Sequence, residues 1–302
     1  MKKEKALAEV HLAVLFFGLA GLFGKWLTFS PLAIVLGRVV LASLALAAAL
    51  GLLRQALWAK RAKDLALFAV MGFILALHWA TFFRSIQVST VAVGLLAYST
   101  FPFFTAFLEP VWLKERVDKR SVLLSLACLA GIFLIIPRLE LSNAVVKGVL
   151  WGLLSGFSFS LLAIFNRKMT RTYSSLRVAF HQDFFAGVFL VPLVLHSPPA
   201  LSVRDVLLLA VLGIVCTAGA HTLFIDGMKG IGARAASLIS TLEPVYGIFL
   251  AFVFLKEIPG PRTLLGGALI LAAVSAVSLR HATTPAESEG GRPSPRAYKR
   301  EQ

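Results

Sequence analysis

A carboxylate beside a proline, Glu243-Pro244, interrupts an apolar stretch that is long enough to cross a membrane, SLISTLEPVYGIFLAFVFLKE. An ionisable side chain at a bilayer centre costs about 2.5–3.5 kcal/mol on insertion scales, so a retained one usually has a function or a buried partner. Glu243 is therefore a candidate proton acceptor. A structural carboxylate that hydrogen-bonds backbone groups freed by the proline fits the same pattern.

A second group of polar residues lies in the apolar segment FHQDFF and in a later apolar segment that contains His221. Asp183 and His221 join Glu243 as candidates for proton coupling, because an imidazole titrates near neutral pH and can pass protons between carboxylates. His181 and Gln182 are candidates for binding a ligand. His181 and Asp183 project about 200° apart on a helix, so they cannot both face one cavity. Each of these side chains could instead form a hydrogen bond between helices.

Arg38 and His78, two polar residues of the earlier apolar segments, are candidates for binding a ligand. Arg38 could bind a carboxylate through two parallel hydrogen bonds, neutralise a protein carboxylate, or extend toward a helix end. Aromatic side chains nearby in sequence suit a small amphipathic ligand, although each is equally suited to packing. The candidate binding residues are Arg38, His78, Trp79, Tyr98, Phe101, Phe159, His181, Gln182, Ser240 and Tyr246.

The composition places these residues in a membrane protein. Of 302 residues, 58% are hydrophobic and only 15% are charged, which is more apolar side chain than a soluble core of this size buries. The net charge of +15 comes from basic residues between apolar segments, so we expect a lipid bilayer and no nucleic acid as partner. The sequence indicates no oligomeric state. Cys128 and Cys216 lie in apolar segments and predict no disulfide framework.

The sequence also lacks the patterns of common catalytic and cofactor sites. It contains no His/Cys metal spacing, no phosphate-binding GxxxxGK[ST] loop and no GxSxG nucleophile elbow. We therefore expect no catalytic residue, no metal and no cofactor.

Ten apolar windows are long enough, or nearly so, to cross a membrane. With a cytoplasmic N-terminus, 22 of the 30 Lys and Arg residues fall in cytoplasmic segments, seven in external segments and Arg38 in a span. This bias predicts an inner-membrane protein with both termini in the cytoplasm. Residues 281–302 are polar and predict a disordered cytoplasmic tail. The windows lie near 11–29, 32–53, 65–86, 89–113, 121–136, 147–166, 176–195, 203–226, 232–255 and 262–280.

An internal repeat relates the fourth and ninth windows. PFFTAFLEPVWLKE (102–115) aligns without gaps on PVYGIFLAFVFLKE (244–257), which matches Pro102 with Pro244. The prolines predict two hinges, each a kink in a continuous helix. Glu115 and Glu257, which close the two motifs, are expected to be solvated. Halves of five spans each would enter the membrane from opposite sides, an inverted repeat with domains 1–140 and 141–280.

These features resemble the drug/metabolite transporter superfamily, and its EamA-type branch most closely. The resemblance rests on the ten windows, on LEP at 108–110 and 242–244, on the two LKE motifs, and on WGLLSGFSFSLLAIFNRK (151–168), which is similar to the first span of that family's second repeat. It implies an all-α integral membrane protein with ten transmembrane helices in two inverted five-helix repeats. It also implies alternating-access transport of a small metabolite, with export of an amino acid or a related compound as the leading expectation. Multidrug or nucleotide-sugar transport and metabolite uptake are the alternatives, and an intramembrane enzyme or a channel is the alternative outside transport.

Overall fold

A computed structural model describes residues 3–113, 119–136 and 140–281, and these residues contain helices and connecting turns but no strand. Lys114 and Glu115 of the first repeated motif and the predicted tail after His281 lie outside the described residues. A π-helical segment, Val211–Gly219, continues without a break into α-helix on both sides. The helices are α1 (Lys3–Ala20), α2 (Phe23–Trp26), α3 (Pro31–Leu52), α4 (Ala62–Val88), α5 (Val91–Tyr98), α6 (Phe101–Leu113), α7 (Lys119–Ile135), α8 (Ala144–Met169), α9 (Ser175–Leu195), α10 (Val203–Ala210), α11 (Ala220–Ser240), α12 (Glu243–Leu255) and α13 (Pro261–His281).

Six helical segments within the described part of the chain are long and apolar enough to cross a membrane. Their lengths of 21–27 residues match the roughly 20 residues that span a hydrocarbon core. Four further apolar stretches of the described residues are shorter, at 10–17 residues: Val91–Thr105, Leu126–Ile135, Glu243–Leu255 and Pro261–Ala276. The six segments are Lys3–Trp26, Pro31–Leu52, Ala62–Val88, Ala144–Met169, Ser175–Leu195 and Val203–Met228.

The fourth and ninth windows contain breaks where the sequence predicted kinks. Pro102 and Pro244 are the second residues of α6 and α12, so the helix ends before each proline and a new helix begins. The prediction of a kink within a continuous helix was therefore wrong. A proline in the first turn of a helix removes no intrahelical hydrogen bond, since those N–H groups have no acceptor there. The breaks at 99–100 and 241–242 keep the spacing of the aligned repeat.

The junction between the eighth and ninth windows is helical. α11 continues through residues 227–232, where the windows were separated, and ends only at Ser240. This stretch contains three glycines but no proline, so it keeps every backbone donor of the helix. The ninth window is thus shared between the end of α11 and the whole of α12.

The main helix contacts join the first half of the chain to the second. α1 packs against α11 and α12, and α8 packs in the same way against α4, α5 and α6. α3 packs against α9, and α7 against α13. The interior of the molecule is therefore an interface between the halves, and the predicted polar residues lie on its helices.

Candidate polar and aromatic cluster

Arg38 is a buried cation of the interior, with 5% of its surface exposed. It is two turns into α3, a helix that starts with Pro31 and is capped by the Ser30 hydroxyl, which accepts a hydrogen bond from the Ala33 N–H at 3.3 Å. Its Nε donates to Thr217 Oγ1 at 2.8 Å. Its guanidinium carbon is 3.6 Å from the centre of the Trp79 ring, a cation–π contact. α3, α4 and the π-helical segment together fix this cation.

The π-helical segment places Thr217 against Arg38. The Thr217 hydroxyl donates to the Leu212 carbonyl five residues earlier, at 2.8 Å, as a π-helix allows. Gly213 lets α3 come close, because a Cβ at this position would lie 2.7 Å from the Arg38 carbonyl oxygen. Single π-helical turns occur frequently at functional sites.

Two carboxylates from the second half act on the Arg38 charge. Asp183 of α9, which is 2% exposed, and Glu243 in the first turn of α12 are both within electrostatic range of the guanidinium. Among the described residues, neither carboxylate forms an ion pair with Arg38. The cluster thus combines one buried cation with two acidic groups from the second half.

His221 of α11 adds a titratable group to this cluster. It is within electrostatic range of Arg38, and its ring packs against Phe17 of α1 with the ring centres 5.5 Å apart. Its Nδ1 is buried, and the backbone of Thr217, one turn earlier in the chain, is a hydrogen-bonding group for the ring.

An aromatic cluster adjoins Arg38 through Trp79. His78 is held by Ser155 of α8, since its Nδ1 is 3.0 Å from the Ser155 carbonyl oxygen and 2.9 Å from its hydroxyl. The rings of Tyr98 and Phe159 are centred 5.3 and 5.0 Å from the imidazole. Phe101 follows the break after α5 and lies 4.9 Å from Phe159, centre to centre. The structure therefore brings together five of the predicted aromatic and histidine residues: His78, Trp79, Tyr98, Phe101 and Phe159.

His181 is not part of this cluster. Its ring stacks on Phe68 with centres 4.3 Å apart, and its Nε2 accepts a hydrogen bond from the Ala59 N–H at 3.2 Å. Its Nδ1 is 2.8 Å from the Arg177 carbonyl oxygen and so donates to it. Both nitrogens are engaged, and the ring packs at the connection between α3 and α4.

Three other predicted binding residues bond to neighbours outside the cluster. Gln182 donates its side-chain amide to Asn166 of α8. The Ser240 hydroxyl donates to the Ala236 carbonyl in its own helix at 3.0 Å. The Tyr246 hydroxyl lies 2.8 Å from His11 Nδ1 and so joins α12 to α1.

Sequence reasoning missed four residues of the interior and misjudged Glu257. Thr217 lies one turn before His221, so helical spacing from that histidine could have identified it. Ser155 and His11 gave no signal, because their partners are distant in sequence, and the glycine at 213 resembled other packing glycines. Glu257 is not simply solvated: its Oε2 accepts a hydrogen bond from the Val91 N–H at 2.9 Å.

Metal binding finds no support in the part of the chain that the structure describes, where no three His, Cys, Asp or Glu side chains gather as ligands. Two cavities, of about 340 Å³ and 20 Å³, lie away from Arg38, near the turns that begin α3 and α5.

Comparison with known protein sequences identifies a family for this chain. The sequence matches the EamA-like transporter family twice, over residues 6–136 and 146–279. The transporter YxxF of Bacillus subtilis (strain 168) is 23% identical over 92% of this chain and 91% of its own length. The pseudopaline exporter CntI of Pseudomonas aeruginosa (strain PAO1) is 25% identical over 75% of this chain and 80% of its own. A "Probable terminal-alkyne amino-acid exporter" of Streptantibioticus cattleyicolor is 26% identical over 81% and 83%.

A comparison of folds finds a similar solved structure. One crystal structure superposes with a TM-score of 0.65 over 96% of this chain and 100% of that chain, at 17% identity. Apolar helices of membrane-spanning length and two family matches along one chain identify a multi-pass membrane protein. The chain therefore belongs to the EamA-like transporter family of the drug/metabolite transporter superfamily.

Proposed function

We propose that this protein is a secondary active transporter that exports an amino acid or a related small metabolite by alternating access, with Arg38 as the group that binds the substrate carboxylate. The geometry of Arg38 carries the proposal. Its Nε is engaged by Thr217 and one face of its guanidinium is covered by Trp79. The four N–H groups on its two Nη atoms remain for a planar anion, which guanidinium binds through parallel hydrogen bonds.

The aromatic cluster provides an apolar wall beside that cation. Trp79 lies over Arg38 and beside His78, whose ring contacts Tyr98 and Phe159. A ligand that places its carboxylate at Arg38 would lay its apolar part against these rings. Apolar walls with a few fixed polar groups are typical of small-molecule sites. Two relatives are named as exporters, which supports export, and the one named as a probable terminal-alkyne amino-acid exporter supports an amino acid as the substrate.

Ten transmembrane helices in two inverted repeats form the proposed architecture. In its support, α6 and α12 both follow two-residue breaks and carry a proline at their second position. The packing of α1 on α11 and α12 is also repeated by α8 on α4 and α6. The loop charges favour cytoplasmic termini in the inner membrane. The breaks before Pro102 and Pro244 are the proposed hinges between inward-open and outward-open states.

Protons are the proposed source of energy. Glu243, Asp183 and His221 all lie within electrostatic range of Arg38, so protonation of any of them changes the field at the site where the substrate carboxylate would bind. A carboxylate that takes up a proton when the anion leaves would couple the two movements. This role extends the proton-coupling prediction for the three residues.

Purified protein in sealed liposomes tests the proposal. The liposomes are loaded with radiolabelled amino acids, a pH gradient is imposed, and release is measured with and without the gradient. We expect gradient-dependent movement of one chemical group of amino acids, chemically unchanged, and loss of that movement in Arg38→Ala but not in Arg84→Ala, an exposed arginine of α4. Equal release from protein-free liposomes and from liposomes that contain the protein would contradict carrier activity toward amino acids.

A further inference from the structure

We propose that Glu257 is an external latch: it holds the two halves of the protein together at the outer end of the substrate path and must release for the outward-open state to form. The proposal rests on the alternating access proposed above. It assigns a positioning role to the last residue of the second repeated LKE motif, which the substrate site does not use.

The latch joins segments that are distant in sequence. Glu257 follows α12 in the second half, and its Oε2 accepts the N–H of Val91, the first residue of α5 in the first half, at 2.9 Å. The Val91 N–H has no acceptor within its own helix, as is usual for a first turn. A carboxylate there also interacts favourably with the helix dipole. Thr90 bonds the Val93 N–H at 3.1 Å, so the two side chains share the capping of α5.

The backbone after α12 is shaped to present this carboxylate. Lys256 has φ 58° and ψ 25°, a left-handed conformation that is uncommon for a residue other than glycine. The Lys256 N–H bonds back to the Ala251 carbonyl oxygen, five residues earlier, and the Glu257 N–H approaches the same oxygen at 3.3 Å. The turn directs Glu257 to α5 immediately after the helix ends. Non-glycine residues in this region persist where surrounding contacts hold them.

α5 is the element whose position matters for the substrate. All eight of its residues are buried, and it packs against α12 of the other half. It ends at Tyr98, the aromatic residue that borders the break and the candidate site. A small cavity of about 20 Å³ lies between Ala92 of α5 and Glu257. Separation of the halves at this end would widen that cavity into a path toward the aromatic cluster.

A neighbouring bond supplies a matched control. The Lys25 ammonium donates to the Ser89 carbonyl oxygen at 2.7 Å and so holds the same junction between α4 and α5. Lys25 and Ser89 both belong to the first half, so their bond does not join the two halves. Loss of this bond should leave the contact between the halves in place. Loss of the Glu257 bond removes a contact between them.

Cysteine labelling from outside the cell measures the opening. Ala92→Cys, which replaces a residue that is 4% exposed, is the reporter, in the full-length protein in cells and with a membrane-impermeant maleimide. The native Cys128 and Cys216 are buried, and the parent protein gives their background. We expect Glu257→Ala to accelerate labelling about tenfold, the loss of one charged hydrogen bond, and Glu257→Gln to give a smaller increase. Lys25→Met should leave the rate unchanged.

A second reporter distinguishes opening of the outer side from a general loosening of the helix packing. Met228→Cys, in α11 where it packs against α1 near the predicted cytoplasmic side, is labelled in inside-out vesicles. Glu257→Ala should leave this rate unchanged or lower it, because the outward-open state closes the inner side. Equal acceleration at both reporters, acceleration by Lys25→Met, or no acceleration by either Glu257 variant would overturn the latch. Since labelling needs no substrate, the latch and the proposed amino-acid substrate can fail independently.

Discussion

Arg38 and Thr217, 179 positions apart in the chain, are joined by a 2.8 Å hydrogen bond from Nε to Oγ1 at the centre of the interface between the two halves. The bond fixes the guanidinium plane from one edge while Trp79 covers one of its faces. A cation held in this way has lost little of its capacity to bind a carboxylate, since its two Nη atoms are not used by the contacts that position it.

Substitution of Arg38 tests its role in binding. Arg38→Lys keeps the charge but loses both the planar fork and the stacking on Trp79, so the apparent affinity for substrate should fall by about 1.5–3 kcal/mol, or roughly 10- to 150-fold. The measurement is the concentration dependence of transport in proteoliposomes. Arg84→Lys, at an exposed position of α4, is the control and should behave as the wild type. Equal apparent affinities of the wild type, Arg38→Lys and Arg84→Lys would show that Arg38 does not bind the substrate.

Substitution of Glu243 tests proton coupling. Glu243→Gln preserves the size of the side chain but cannot take up or release a proton, so transport should lose its dependence on an imposed pH gradient while exchange of substrate for substrate continues. The comparison protein is Glu140→Gln, an exposed carboxylate before α8. A Glu243→Gln protein whose transport keeps the wild-type pH profile would show that this carboxylate is structural.

Gly18 tests the packing of α1 against the start of α12. A Cβ at Gly18 would lie 2.8 Å from both the Glu243 carbonyl oxygen and the Gly247 nitrogen, so Gly18→Ala must push the two helices apart. We expect a loss of about 1–3 kcal/mol in stability, from overpacking, together with slower transport. Gly51→Ala, in a helical position with no heavy atom within 4 Å, should be neutral or stabilising by up to about 1 kcal/mol. Thermal unfolding of the two variants in detergent measures the difference, and equal melting temperatures would contradict the close contact.

Tyr173 gives a prediction about pH outside the membrane-spanning helices. In the turn between α8 and α9 its hydroxyl donates to Asp64 Oδ2 at 2.7 Å, and this hydrogen bond raises the pKa of the phenol. Since the folded-state pKa is raised, the stabilisation is fully present below the ordinary tyrosine pKa of about 10 and is lost as the pH rises through the raised value. Asp64→Asn should bring the ionisation, followed by absorbance near 295 nm against Tyr173→Phe, back toward ordinary tyrosine. An unchanged titration would show that the bond does not form in solution.

The sequence predicted more of the helices and their breaks than of the contacts between side chains. The gap-free alignment of Pro102 on Pro244 located both helix breaks, because a proline restricts the backbone wherever it occurs. It could not distinguish a kink from a break, since that depends on whether neighbouring helices leave room for a new first turn. Gly18 provides such room at α12, and Gly156 lies against the Tyr98 carbonyl oxygen at the end of α5.

The hydrogen-bonding and packing partners of the side chains could not be predicted from the sequence. Periodicity showed that His181 and Asp183 point in different directions, but only packing decided that the histidine stacks on Phe68 while the carboxylate acts on Arg38. The bond between Glu257 and Val91 joins residues 166 positions apart, and no local pattern encodes it. The π-helical segment Val211–Gly219 contains no proline and no charged residue from which it could have been predicted.

The most direct measurement of the central claim compares a transported amino acid with its carboxamide as competitors for transport in proteoliposomes, in the wild type and in Arg38→Ala. The wild type should prefer the carboxylate by at least about tenfold, because only the anion can pair with the guanidinium, and Arg38→Ala should lose that preference while it keeps a similar affinity for the carboxamide. A wild type that binds both compounds equally, or an Arg38→Ala protein that retains the preference, would contradict the assignment of Arg38 as the carboxylate-binding group.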